Sequence, residues 1–122
     1  VVIVLAVGAS KALEFFAHKP PIDASNNYLL SVQAQNWSAA ADLSCQGPGS
    51  AAAQSSAQEL LAKVGGTLVS YDLTSATVKG NTATVNGTVS GSSSTDSIVL
   101  YVERNTSSGA WLVCSTAVNA TK

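Results

Sequence analysis

The chain has 122 residues, enough for a single domain with a working core, and 46% of them are apolar while only 11% are charged, well under the roughly 25% of an average soluble domain. Six basic and seven acidic residues leave a net charge of −1, too few cations to hold a phosphate backbone, so nucleic-acid binding is disfavoured. The polar share is carried instead by 18 Ser and 10 Thr, and this hydroxyl-rich, charge-poor, Met-free composition fits an exported protein better than a cytosolic enzyme.

In chain order, Val1 to Val7 is an unbroken apolar run, much shorter than the ~20 residues of a membrane span. It reads either as a buried opening strand or, preferably, as the outer end of a truncated transmembrane helix or signal anchor, with Lys11 marking the exit into water. Ala9 to Lys19 suits a short helical stalk, with Leu13 and Phe16 on one side, which Pro20-Pro21 is expected to stop. Residues 1–21 are thus read as anchor end and stalk, 22–118 as the domain and 119–122 as a tail.

Asp23 or Ser25 can cap a helix whose apolar positions are Tyr28, Leu29 and Val32, with Gln33 on its flank and Asn36 as the interruption. A second short helix places Trp37, Ala40, Ala41 and Leu43 inward and ends at Cys45-Gln46-Gly47-Pro48-Gly49. Ser50 caps a third, Ala51 to Val64, with a stripe of Ala53, Ala57, Leu60, Leu61 and Val64, and Gly65-Gly66 closes it in left-handed conformation.

From Thr67 the period changes from 3.6 to 2. Val69, Tyr71 and Leu73 alternate with Leu68, Ser70 and Asp72, and the apolar phase then moves to Ala76 and Val78, which implies a bulge or bend near Thr74-Ser75. Gly80-Asn81 is a hairpin turn, Ala83 to Val89 alternate, Ser92 to Thr95 turn again, and Ile98 to Val102 is apolar on both faces. Asn105 to Gly109 turns into a last strand, on which Leu112 and Cys114 are expected to face the helices and Trp111 to face away as a candidate interaction residue. The expected class is α+β: three N-terminal helices packed on one face of a curved four-stranded antiparallel sheet.

Cys45 and Cys114 show neither metal spacing nor a C-x-x-C motif; they read as two buried thiols or, in an exported domain, as a disulfide. Closing that loop would contribute about 4 kcal/mol by chain entropy.

The segment Asn36-Trp37-x-x-Ala40-Ala41-x-Leu43-x-Cys45 and the ending Gly109-x-Trp111-x-Val113-Cys114 resemble those of small exported or membrane-anchored actinobacterial domains. These belong to the nuclear-transport-factor-2-like (cystatin-like, SnoaL-like) superfamily and include lumazine-binding-like relatives from mycobacteria. The resemblance covers roughly Ile22 to Thr116. It implies a cystatin-like α+β roll and a cone-shaped cavity that serves some members for ligands or catalysis and others as core.

Superfamily enzymes such as ketosteroid isomerase and scytalone dehydratase set carboxylates, a Tyr or a His in that cavity, but no position here matches their motifs. His18 falls before the Pro-Pro pair, and Asp23 and Asp96 are explained by a helix start and a turn. A pairing of Tyr28 with Asp42 or Asp72 is the remaining catalytic arrangement, and no nucleophile triad, metal cluster or phosphate loop is present. No cofactor is expected. Tyr28, Trp37, Val69, Tyr71, Leu100 and Leu112 are the residues expected around the cavity, unless they pack together as plain core. The sequence therefore points to a non-catalytic extracytoplasmic module, secreted or held to a membrane by its N-terminal segment, that takes a small apolar ligand or an envelope protein. A cavity enzyme and a structural homodimer are the alternatives.

Overall fold

A computed structural model describes residues 19–120 apart from residues 48 and 93; the expected anchor and nearly all of the stalk, with Lys11 and His18, lie outside the described residues. Helical residues 19–33 form α1, followed by α2 (Trp37–Asp42) and α3 (Ala51–Lys63). Four strands follow: β1 (Leu68–Lys79), β2 (Thr82–Gly91), β3 (Thr95–Arg104) and β4 (Trp111–Ala120). They pair antiparallel in the order β1-β2-β3-β4, so the described residues give the expected α+β architecture with an open meander.

The helices follow their caps. Asn36 Oδ1 accepts the Ala39 amide at the start of α2, and Ser50 Oγ accepts that of Ala53 at the start of α3. At the end of α3, Gly66 N–H bonds Leu61 O at 2.9 Å and Gly65 N–H bonds Ala62 O at 3.1 Å, with both glycines at positive φ; this paired reversal is what a side chain would resist. Pro20 and Pro21 are themselves helical, where proline's fixed φ is already near the helical value; the stalk they are expected to stop lies outside the described residues. Asp23 and Ser25 are likewise helical rather than capping. Asp23 pairs with Lys19 at 2.7 Å, and buried Ser25 donates its hydroxyl to Pro21 O at 2.9 Å.

Register separates the sheet into two faces. Val78, Ala83, Val102 and Val113 line up across the strands, as do Ala76, Val85, Leu100 and Thr116, and Leu73, Gly87, Ile98 and Val118. This face carries the buried strand residues, which form one cluster with Tyr28, Leu29 and Val32 of α1 and Ala57, Leu60 and Leu61 of α3. The opposite face carries Thr77, Thr84, Thr88, Ser97 and Tyr101.

Three bulges set the phase of the edge strands. The expected one at Thr74 is present, between Leu73 and Ser75. A second, at Val69, turns Leu68 into the core and leaves Val69 56% exposed, reversing the expected phase of the strand's first residues. The third places Cys114 opposite the step from Tyr101 to Val102, so that Val113 and Trp111 share the core face. The expectation that Trp111 faces away while Leu112 faces the helices is thereby corrected: Trp111 packs against the core, and Leu112 sits across from Glu103 on the other face.

Candidate binding site

The chain between α2 and α3 reaches the free edge of β4. Cys45 N–H donates to Val113 O at 3.0 Å, Val113 N–H donates to Leu43 O at 2.8 Å, and Ser44 bridges Val113 in parallel. Cys45 and Cys114 form a disulfide there, across a Cα separation of 4.8 Å and 69 residues of sequence. Glu103 Oε2 lies 3.1 Å from Cys114 Sγ and 3.8 Å from Cys45 Sγ. Among the described residues these three form the one group with metal-ligand proximity, but thiolate is the metal-binding form of cysteine and the disulfide removes both sulfurs from that role.

Beside this tie a pocket of about 300 Å³ opens between α1, α3 and β4. Tyr28, Leu60 and Val113, with buried Ser44, give it a mostly apolar floor, and Gln46, Ser56, Glu59 and Lys63 give it a polar rim. Glu59 and Lys63 stand one turn apart on the exposed side of α3, so the rim offers one anion and one cation. Tyr28 is only 3% exposed, and burial pushes its hydroxyl up to about 12, because a phenolate there would lose its hydration. Among the described residues no fully buried side-chain polar atom is left unpaired, and Tyr28 is one of the residues that line the pocket.

Of the residues expected around a cavity, Tyr28 lines this pocket. Leu100 is fully buried in the core cluster, and Trp37 and Tyr71 pack against that cluster. Val69 is turned outward by its bulge, and Leu112 stands on the outer face. The rim on α3 was not anticipated, although Ser56, Glu59 and Lys63 recur at helical spacing beside the apolar stripe. Asp96, explained from the sequence by its place beside a turn, is 2% exposed on the core face opposite Val89, near Ser94 Oγ at 3.5 Å. Its even-numbered phase with Ile98, Leu100 and Val102 was the available signal.

The catalytic pairing is not assembled. Asp42 and Asp72 are exposed, neither lines the pocket, and Asp72 faces the outer side of β1 opposite Thr88. The chain matches no protein-family model and no curated protein. Its disulfide suits an oxidising, extracytoplasmic compartment, and no described helix is long and apolar enough to cross a membrane.

Proposed function

We propose that the chain is a non-catalytic extracytoplasmic ligand-binding domain of a secreted or membrane-anchored protein, built as a cystatin-like roll with its helices on one face of a curved sheet. The pocket between α1, α3 and β4 carries this reading. It combines a mostly apolar floor, a charged rim and a phenol that stays protonated at neutral pH, on elements fixed by a disulfide. Such a site suits a small, largely apolar molecule with one polar end. A proton shuttle near pH 7 needs a group poised there, whereas Tyr28 is displaced in the opposite direction.

The test uses 1-anilinonaphthalene-8-sulfonate, an apolar probe with an anionic end. The folded, disulfide-intact protein should bind one molecule saturably, and Ser56→Trp, which fills the pocket from an exposed helix position, should abolish the binding without altering the circular dichroism. Absence of saturable binding, or binding indifferent to Ser56→Trp, would overturn the reading.

A further inference from the structure

A second concavity lies on the opposite face of the sheet. Two adjacent rungs of side chains cross it: Thr77, Thr84 and Tyr101 on β1, β2 and β3, and beside them Lys79, Thr82 and Glu103 on the same three strands. They line a groove of about 570 Å³, within the roughly 300–1,000 Å³ of ordinary ligand sites. Strand spacing sets neighbours in a rung about 5 Å apart and the two rungs about 7 Å apart, so the functional groups are held by the sheet and not by a loop.

The chemistry of the groove is specific. Tyr101, at the β3 end of its rung, is 48% exposed, which leaves much of an aromatic surface open beside hydroxyl groups. Thr77 and Thr84 can donate and accept, Thr82 donates to Lys79 O at 3.0 Å and can still accept, the Lys79 ammonium only donates, and the Glu103 carboxylate, whose Oε2 lies beside Cys114 Sγ, only accepts. One cation and one anion cancel, which removes any attraction for polyanions such as nucleic acid or acidic lipid. Apart from the Tyr101 ring, the rungs offer no large apolar surface for a lipid tail. A ring that is apolar on its face and hydroxylated around its edge satisfies both the aromatic surface and the surrounding donors and acceptors.

We propose that this groove binds a neutral saccharide, one pyranose ring stacking on Tyr101 while its hydroxyls bond Thr84, Glu103 and Lys79. The assignment is independent of the pocket at α3, which shares only Cys114 with the lining of this groove.

The disulfide-intact chain, labelled with ¹⁵N, is titrated with cellobiose, maltose and N,N′-diacetylchitobiose. At least one should shift backbone amides in residues 77–84 and 101–103 saturably, in the millimolar range. Tyr101→Ala should weaken that binding about tenfold or more, consistent with loss of an aromatic contact, and Glu103→Gln by several-fold, with both variants retaining the wild-type spectrum elsewhere. The proposal is overturned if none of the three sugars shifts these amides, or if the shifts persist in Tyr101→Ala. It is also overturned if glycine, a zwitterion able to engage Lys79 and Glu103 without a ring, gives equal shifts. Shifts centred on Tyr28 and Lys63 would overturn it while leaving the α3 pocket as a binding site.

Discussion

The two edges of the sheet are held by different means. At β1, Leu68 packs into the core, and the hydrogen bond to the helices among the described residues is from a side chain: Gln33 Nε2 of α1 donates to Val69 O at 2.9 Å, at the residue the bulge turns outward. At β4 the fastening is backbone and covalent together, with two main-chain hydrogen bonds to the 43–45 segment and the Cys45–Cys114 bond. Exposed strand edges invite pairing with other chains, and both edges here are interrupted by a bulge and covered by chain from the helical half. The β4 edge also walls the pocket below α3, so its stronger fastening doubles as rigidity for that site. Fastening is concentrated where the fold has something to hold in shape.

The largest effect should come from unfastening β4. Replacing both cysteines, Cys45→Ser with Cys114→Ser, should lower the unfolding free energy by about 4 kcal/mol, read from urea midpoints under non-reducing conditions. A loss no larger than that from disrupting β1 would erase the contrast between the edges.

Alkaline pH should probe the same side through Tyr28. Below pH 10 the phenol is protonated in both folded and unfolded chains, so it adds no pH dependence. As pH rises from 10 towards about 12, the unfolded phenol ionises while the buried one resists, and stability falls. The full loss is about 3 kcal/mol at ~1.4 kcal/mol per unit of displacement. Tyr28→Phe should remove this component, so the difference between the two stability-against-pH curves measures it.

On the β1 side, Gly91 pairs with Leu68, and a Cβ there would collide with the carbonyl oxygen of Val64 at the end of α3. Gly91→Ala should therefore cost about 1–3 kcal/mol in thermal or urea unfolding, by forcing the helix end away from the strand. Gln33→Ala should cost the least, about 1 kcal/mol, and should speed amide exchange near residue 69 while leaving that near 113 unchanged. Equal acceleration at both strands would show that the edges do not open separately.

The same edges mark where the sequence was legible and where it was not. The third helix was readable because its cap, stripe and terminal glycines all agree, and the bulge at Thr74 was readable because the apolar phase changes across it, from Leu73 to Ala76. The bulge at Val69 leaves no such trace: Leu68 and Val69 are both apolar, so the alternation fits either phase. Trp111-Leu112-Val113-Cys114 is worse placed, since four consecutive apolar residues carry no period, and only the extra residue at Cys114 decides that Trp111 turns inward. The disulfide was foreseeable because the composition pointed to export, whereas the pocket required knowing how α3 lies against β4. The proline pair can be helical itself because proline disturbs a helix by what its ring and missing N–H do to the preceding turn, not by its own backbone angle.

The 69-residue covalent loop also decides how the molecule carries tension. Force applied at residues 19 and 120 passes along α1 and α2 to Cys45, crosses the sulfur bridge to Cys114 and leaves through the rest of β4. Helix α3 and strands β1 to β3 lie inside the loop and are mechanically bypassed. A stretched molecule can lengthen only by the residues outside 45–114 until the bridge is reduced, when the remaining chain becomes extensible in one further step. The bond that ties one strand edge to a helix thus also works as a strain limiter, capping how far a pulled domain can open.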